Sequence, residues 1–518
     1  MKRRRFLKLS MCGAATTVVV GPYFRGRSFG EPFGTAPGST GLLPAERQVK
    51  NVLEVYLYGG LSPWETFYAV EEYGRPDDPN HPNEQLHAFL GTGDDSIESA
   101  MANCGLEGSA PMLTPFATDA NGVGVNLGPF AFPLRERSDL TDRMRMLVQS
   151  HQLEPHEAAV PQALTGRPVG QPSAAGLGSH IQRFLTETGG RGRNSPYSYL
   201  FATGGISSDN VSAAVTTGLH PGSARPLKVT ITNAERFAEL LGRNEVASAG
   251  DPALYDKLTN FYADQYQERL TWAREGKESV GEAVARSKHF TDLRLAVDTV
   301  GRVEAIGDVL IPELFEPRSG ESCSASRNFD VPGMSLEAAR HLLTHPTEPA
   351  GYVCVSDIGL YQASGGGGYD THTDNSFDTA MNFSNVLKHI SSIVNRPDES
   401  DPTKLNLDDT LIILNTEFGR TPRRQGKGTG RNHWPYGYVT AFIGGPITKS
   451  ERGISGAIGP DGRGRKTVTP AENRIAALLS MGIWPFAQES FAVSDALGAA
   501  SEMQAAFQVT EKVLGIKL

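Results

Sequence analysis

The chain has 518 residues, of which 39% are hydrophobic and 21% are charged, and its formal net charge is −9 at pH 7. This composition is typical of a soluble globular protein built from one large α/β domain or two to three smaller ones. The acidic balance provides no basic surface for a polyanion, so nucleic acid is excluded as an expected partner.

The first 27 residues are predicted to be an export signal. The run RRRFLK at positions 3–8 resembles the twin-arginine signature, in which paired arginines precede Phe-Leu-Lys. The weakly apolar run at 11–20 is too short to span a bilayer as a stable helix, but it suits the core of an export signal. We therefore expect the twin-arginine export machinery as a partner and a periplasmic or extracellular location. The alternative is a basic amphipathic anchor.

The next elements follow in chain order. A Gly-, Pro- and Ser-rich stretch over residues 28–47 predicts a linker, and residues 48–518 are expected to form a single domain. A β-branched and aromatic run at 52–58 predicts a buried strand that ends at two glycines. Residues 71–128 are predicted to be a loop-like insertion over one face. The run at 142–149 predicts a helix end that leads into a short strand.

The second half of the chain alternates helices and strands. Apolar residues at three- and four-residue spacing predict a helical segment over 234–317, and a further helix is expected at about 376–394. Three more strands are predicted at 352–360, 410–417 and 438–445. Almost continuously apolar strands that alternate with helices indicate an α/β fold with a mostly parallel central sheet and helices on both faces.

Three cysteines, Cys104, Cys323 and Cys354, lie beyond the signal. Three cysteines do not make a disulfide-rich scaffold, although one disulfide can form. Cys354 lies within an apolar predicted strand, which favours a buried thiol. The four-cysteine pattern of a structural zinc site is absent from the sequence.

Carboxylates, imidazoles and hydroxyls recur at the ends of the predicted strands, where open α/β sheets bind ligands. These side chains are Ser62, Glu65, Thr66, Asp370, His372, Glu417, Arg420 and His433, with His151, His156 and Glu157 in the separate stretch SHQLEPHEAA. Carboxylate oxygen with imidazole nitrogen suits zinc, manganese or iron, and with fewer histidines magnesium or calcium. The glycines at 365–368 would let the backbone turn and approach the ion closely. The sequence therefore predicts a divalent-metal site.

The motifs GGLSPWETF, EPHEAA, GGYDTHTDN, TEFGRTPR and GRNHWPYG occur in this order and resemble the bacterial domain-of-unknown-function family 1501. That family is similar to sulfatases and alkaline phosphatases, and its members are typically exported by twin-arginine signals. The resemblance covers most of residues 50–485, with 71–128 as an insertion. It implies an alkaline phosphatase-like sheet with a metal-binding face.

The resemblance also implies roles for individual residues. The expected metal ligands are Glu65, Asp370, His372, Glu417 and His433. The expected catalytic groups are Thr66 as nucleophile with Ser62 as second choice, Arg420 for developing negative charge, and His156 as proton donor or further ligand.

The expected function is an exported hydrolase of phosphate or related ester bonds that depends on a divalent Zn, Mn, Mg or Ca ion and acts on a small molecule or a polysaccharide ester. An ordinary sulfatase mechanism is not expected, because the chain lacks a Cys/Ser-x-Pro-x-Arg motif. One alternative is a non-catalytic relative that binds an envelope partner or polysaccharide. Glu65 and Asn432 favour it, because Asp is commoner at both positions in the family. Another alternative is a structural Ca²⁺ site that holds the long loops.

The export prediction has a direct test. Replacing Arg3, Arg4 and Arg5 together by lysine should leave the protein in the cytoplasm, because the twin-arginine pathway reads the arginine pair rather than its charge. The measurement is the fraction of protein in the periplasm and medium. Undiminished export of this triple variant would instead favour the basic anchor.

Overall fold

The computed structural model describes most of residues 33–188 and 322–518, and only a few residues between these two parts. The described residues are 33–38, 43–73, 95–105, 113–169, 175–188, 198–202, 227–230, 322–323, 330–347, 349–360, 368–425, 429–486 and 490–518, with five isolated positions between 254 and 265. The predicted signal at 1–27 lies outside these residues. The predicted helical segment at 234–317 also lies outside them, apart from the five isolated positions.

An eight-stranded sheet forms the centre of the fold. From edge to edge its strands are β12 (Gly453–Ser455), β4 (Met144–Gln149), β11 (Tyr438–Gly444), β8 (Thr410–Asn415), β1 (Asn51–Leu57), β7 (Tyr352–Asp357), β5 (Ser198–Ala202) and β6 (Leu227–Thr230). Strand β11 runs antiparallel to both of its neighbours, and the other neighbouring pairs in this described sheet are parallel. The predicted α/β class with a mostly parallel sheet is confirmed.

The central strand, β1, is buried along its whole length. It pairs with β7 on one side and β8 on the other. Because side chains alternate along a strand, Leu53 and Val55 join one hydrophobic cluster and Val52 and Tyr56 join a second. A strand covered on both faces reads as a nearly continuous apolar run, which is why the sequence pattern identified it.

Helices cover both faces of the sheet. The face of Leu53 packs against α5 (Val331–Thr344), α6 (Asn375–Ile393) and the 3₁₀ segment Pro129–Glu136. The face of Val52 packs against α3 (His156–Thr165), α4 (Leu177–Thr188), α7 (Pro470–Ser480) and α8 (Glu502–Val509). Shorter elements are α1 (Asp95–Asn103), α2 (Ser138–Asp142), 3₁₀ turns at Ala45–Arg47 and Val493–Asp495, and a π turn at Thr510–Leu514. Within the described residues, none of the helices has the length and apolar character to cross a membrane.

The segment 71–128, predicted to be loop-like, contains regular structure. Besides α1 it forms a hairpin of β2 (Thr114–Thr118) and β3 (Gly124–Leu127). The turn between them contains Gly122 at φ +85. The Asp119 carboxylate accepts hydrogen bonds from the backbone nitrogens of the turn, at 2.8 and 2.9 Å. An Asn-Gly pair between two short extended runs is a hairpin signal. The loop prediction was wrong here because it relied on composition and overlooked this turn.

Two small ribbons lie outside the main sheet. Strands β9 (Gly419–Arg424) and β10 (Arg431–Trp434) pair antiparallel and place His433 opposite Arg420. Strands β13 (Ala457–Ile458) and β14 (Gly464–Arg465) form the second ribbon. The first of these ribbons carries the TEFGRTPR and GRNHWPYG motifs, which the sequence pattern had left outside regular structure.

A disulfide joins Cys104 to Cys323. Both cysteines are hydrogen-bonded to side chains of α6. Lys388 Nζ donates to the Cys104 carbonyl at 2.7 Å, and Cys323 N donates to Asn385 Oδ1 at 2.8 Å. Cys354 is free and buried, as its apolar strand predicted.

Part of the predicted linker packs on the domain. Phe33 and Leu43 are buried, and the backbone nitrogen of Trp484 donates to the Gly34 carbonyl at 2.7 Å.

A fully buried contact between the Asp330 carboxylate and the His389 ring secures the start of α5. Asp330 Oδ1 accepts from the backbone nitrogen of Gly333 at 2.9 Å, and Asp330 Oδ2 lies 2.7 Å from His389 Nε2. Burial alone would raise the pKa of Asp330, but the hydrogen bond and charge of His389 outweigh it and lower this pKa to about 2.

Asp330→Asn should therefore destabilise the protein in a pH-dependent way. The folded-state pKa lies below the unfolded value, so the stabilisation is present above about pH 4 and is lost as the pH falls towards 2. We expect a free-energy difference of about 2 kcal/mol at pH 7 that shrinks by about half at pH 3. Denaturant unfolding at both pH values measures it, with the exposed Asp398→Asn as the control. The same difference at both pH values would contradict this assignment.

Candidate metal centre

The backbone turns sharply where β1 ends. Gly59 and Gly60 have φ values of +114 and +99, in the region that favours glycine. A Cβ atom at Gly59 would lie 2.2 Å from the backbone nitrogen of Asp370. The Gly59 nitrogen donates to Glu417 Oε1 at 2.8 Å. Glycine at this turn therefore allows three distant segments of the chain to meet.

Gly368 has a similar role in the stretch GGGGYDTHTDN. A Cβ atom there would lie 2.4 Å from the Ile358 carbonyl oxygen. The expected close approach of backbone is thus present at this glycine, whereas residues 365–367 lie outside the described residues.

The carboxylate oxygen Asp370 Oδ1 is the point on which four side chains converge. It lies 2.5 Å from Arg420 Nη2, 3.0 Å from His372 Nε2, 3.2 Å from His433 Nε2 and 3.5 Å from His156 Nε2. Burial alone would raise the pKa of Asp370, but the histidines and Arg420 hold this pKa well below its usual range. Asp370 is therefore ionised at any physiological pH, as a metal-binding carboxylate must be.

The other ring nitrogens of two of these histidines are held by oxygen acceptors. His156 Nδ1 lies 2.8 Å from Glu417 Oε1, and His433 Nδ1 lies 2.9 Å from the Glu154 carbonyl oxygen. An oxygen acceptor requires a proton on Nδ1, so each ring directs Nε2 towards Asp370, and this nitrogen carries a lone pair when the ring is neutral. Metal-binding histidines are typically oriented by this arrangement.

Three of the residues form a candidate metal-binding group. One donor atom each from His156, Asp370 and His433 lies within 4.8 Å of the other two. His156 Nε2 is buried and has no hydrogen-bond partner among the described residues. Two imidazole nitrogens and a carboxylate that face one another are typical ligands of a divalent metal ion, so this donor set fits one.

His372 borders this group at its more open side. Its side chain is 32% exposed, and its Nε2 lies 3.2 Å from His433 Nε2. Its Nδ1 faces Gln425 Oε1 at 3.3 Å. Burial and the charge of Arg420 lower the pKa of His372, which favours the neutral ring. The predicted ligand is therefore close enough to serve as a fourth donor.

His156 has a different electrostatic setting. Burial would lower its pKa, but the carboxylates of Asp370 and Glu417 on either side raise this pKa to about 9. A metal ion at Nε2 would compete with this proton.

Glu417 was predicted to be a metal ligand. In the structure its side chain instead orients His156, a candidate ligand. The same oxygen, Oε1, accepts from the Gly59 nitrogen and faces His156 Nδ1. The backbone carbonyl of Glu417 also contacts His151 Nε2 at 2.6 Å, and His151 Nδ1 accepts from Leu153 N at 3.1 Å. His151 is thus a hydrogen-bonded structural histidine.

Arg420, predicted to bind developing negative charge, is fully buried. Its donors are directed to the carbonyl oxygens of Gly59, Gly60 and Arg431 and to Asp370. These partners leave it no open face for a substrate, so its role is to fix the turn and orient Asp370.

Glu65, Ser62 and Thr66 are not brought to the Asp370 group. All three are completely buried. Glu65 pairs with Arg431, Ser62 Oγ donates to Glu65, and Thr66 Oγ1 donates to the carbonyl oxygen of Ser62. A buried carboxylate requires a cationic partner, and Arg431 provides it in place of the expected metal ion.

Several residues that support the site were missed by the sequence analysis. Tyr58 stacks on His156 with ring centroids 5.2 Å apart, and Phe418 stacks on His433 at 4.5 Å. Phe418 lies within the TEFGRTPR motif and Tyr58 ends the first predicted strand, but their aromatic rings gave no sign of a ligand-supporting role. Glu154 contributes through its backbone carbonyl, for which no side-chain signal exists.

The fold and site together define an α/β protein with a candidate metal centre at the carboxyl ends of its parallel strands. A family model described as "Protein of unknown function (DUF1501)" matches residues 49–461. The chain belongs to this family, as its motifs predicted. No curated protein and no solved structure matches the chain.

The metal centre can be tested by ligand removal. Asp370→Asn and His156→Ala should each lower zinc affinity by more than the 10–100-fold typical of residues that only orient ligands. They should also abolish the rise in melting temperature that zinc gives the wild type. Metal content after dialysis and thermal unfolding measure these effects, with half-buried His345→Ala as the control. Unchanged zinc content in both variants would remove the metal centre.

Proposed function

We propose that this protein is an exported, metal-dependent hydrolase of phosphate or related ester bonds with an alkaline phosphatase-like site. The observation that carries the proposal is the convergence of two imidazole nitrogens and one ionised carboxylate, from His156, His433 and Asp370, at the strand ends. Ligand sites of open α/β sheets lie at this edge.

The donor set favours zinc or manganese over magnesium or calcium. Magnesium and calcium take oxygen ligands, whereas this group offers two imidazoles and one carboxylate, with His372 beside them. It therefore does not support the structural calcium alternative. Three protein ligands are typical of catalytic zinc sites. When bound, such an ion would supply Lewis-acid polarisation of an ester oxygen and a nucleophile at neutral pH.

The protein's own groups would orient and move protons around the reacting ester. Arg420 keeps Asp370 ionised and fixed, and Glu417 holds the His156 ring. His372 combines partial exposure with a lowered pKa, which favours a neutral ring that can accept a proton. The hydroxyls of Ser62 and Thr66 are buried and bonded locally, so water replaces them as the proposed nucleophile.

Export is supported by two independent features. The RRRFLK run resembles a twin-arginine signal, and the Cys104–Cys323 disulfide is a bond that persists in oxidising compartments such as the periplasm. The proposed location is therefore periplasmic or extracellular.

One observation favours the non-catalytic alternative, in which the protein binds an envelope partner or polysaccharide. Asn432, at the position where the family usually has Asp, is exposed, and its Oδ1 accepts from the backbone nitrogen of His433 at 2.9 Å. It supplies no charge to the Asp370 group.

A panel of phosphate mono- and diesters, offered to zinc- and manganese-loaded protein, tests the two functions. We expect hydrolysis by the wild type and none by Asp370→Asn. Thr66→Ala should retain most of the turnover and lose about 1 kcal/mol of stability for one hydrogen bond. Loss of turnover in a folded, metal-loaded Thr66→Ala protein would restore Thr66 as the nucleophile. A wild type that holds zinc but cleaves no ester would support the binding protein.

A further inference from the structure

An exposed guanidinium group lies over two aromatic rings that follow the candidate ligand His433 in the chain. Arg463 Cζ is 4.6 Å from the centre of the Tyr436 ring and 5.5 Å from that of Trp434. The two rings meet edge to face with centroids 5.0 Å apart. Cation–π contacts of this kind restrain a guanidinium group while leaving its N–H donors available.

This aromatic cradle shares its support with the metal centre. Trp434 directly follows His433 in β10, and Tyr436 donates its hydroxyl to Glu154 Oε1 at 3.0 Å. The carbonyl oxygen of Glu154 holds His433 Nδ1 at 2.9 Å. One residue therefore orients both a candidate ligand and the ring beneath Arg463.

Backbone contacts fix the turn that carries Arg463. Trp434 Nε1 donates to the Gly462 carbonyl at 2.6 Å, and Gly464 N donates to the Tyr436 carbonyl at 2.7 Å. The guanidinium group is thus presented by a preorganised segment, which lowers the entropic cost of binding a ligand.

The charge of Arg463 is not neutralised within the described residues. The carboxylate of its neighbour Asp461 is taken by Arg465 Nη2 at 2.8 Å and by the backbone nitrogen of Arg463 at 3.1 Å. Among the described residues, no carboxylate forms a salt bridge with the Arg463 side chain, although the whole chain has a net charge of −9. A restrained arginine without a carboxylate partner is suited to bind a phosphate or sulfate group.

We propose that Arg463, held by Trp434 and Tyr436, is a specificity-determining residue that binds a second anionic group of the substrate, beyond the group at the metal centre. Substrates with two or more phosphate or sulfate groups are therefore preferred over those with one. This inference rests on the proposed function, because it places the reacting ester at the Asp370 group.

The test compares equilibrium binding of inorganic tripolyphosphate and inorganic phosphate to zinc-loaded protein by calorimetry. We expect the wild type to prefer tripolyphosphate, and Arg463→Gln to reduce this preference about tenfold, the effect of losing one charge-assisted contact. Arg396→Gln is the control, since it removes an exposed arginine beyond the C-terminal end of α6, and it should keep the preference. Equal loss in both variants, or no preference in the wild type, would overturn the proposal.

A sulfated disaccharide extends the comparison to anions on a sugar. If Arg463→Gln lowers the affinity for the disaccharide by the same factor as the affinity for tripolyphosphate, the subsite recognises the anionic group and not the molecule that carries it. If neither ligand responds to Arg463→Gln while zinc is retained, the subsite is absent.

The binding measurement separates this inference from the hydrolase proposal. If no ester is cleaved but the tripolyphosphate preference still depends on Arg463, the hydrolase proposal fails and the anion subsite stands. If esters are cleaved and the KM ratio of singly to doubly charged substrates is the same in wild type and Arg463→Gln, the subsite fails and the hydrolase stands.

Discussion

The buried guanidinium group of Arg420 holds the candidate site together. Its donors reach the carbonyl oxygens of the turn after β1, the carbonyl oxygen of Arg431 in β10, and Asp370. A buried arginine is stable only when its planar set of donors is matched by acceptors, so each segment is held at a defined distance from the others. Without this match, Asp370 would have no fixed orientation towards the histidines.

Alternating charge explains why so many ionisable groups share one buried region. Glu417, His156, Asp370 and Arg420 form a chain in which each acid contacts a base. Glu65 and Arg431 form a second acid–base pair. This pair is linked to the chain because Arg420 donates to the backbone carbonyl oxygen of Arg431. Within this region, the Asp370 group is where two ring nitrogens and a carboxylate face one another, with His156 Nε2 buried and without a hydrogen-bond partner among the described residues.

The sequence pattern was sufficient to predict the mostly parallel sheet and to select Asp370 and His433, two of the three residues of the candidate metal-binding group. The third residue, His156, was predicted as a proton donor or further ligand. Strand-end logic selected Asp370 and His433 because buried parallel strands leave a strong apolar pattern. The strand-end pattern could not distinguish metal ligands from supporting residues, because Glu417 and Glu65 have the same carboxylate chemistry as a metal-binding residue. Their roles follow from partners elsewhere in the chain: Arg431 lies 366 residues from Glu65, and His156 lies 261 residues from Glu417. Such pairings depend on tertiary packing, which local patterns do not encode.

The position of β1 in the sheet has a consequence for how the chain folds. This N-terminal strand is central, yet its partners come late in the chain, with Val52 beside both Tyr352 and Leu411. Contacts between such distant residues form slowly, because a long loop must close before they stabilise anything. During synthesis the first strand must therefore remain unpaired until most of the protein has emerged from the ribosome. The proposed twin-arginine export, which carries completed and folded proteins, would avoid threading this unpaired strand across a membrane before its partners exist.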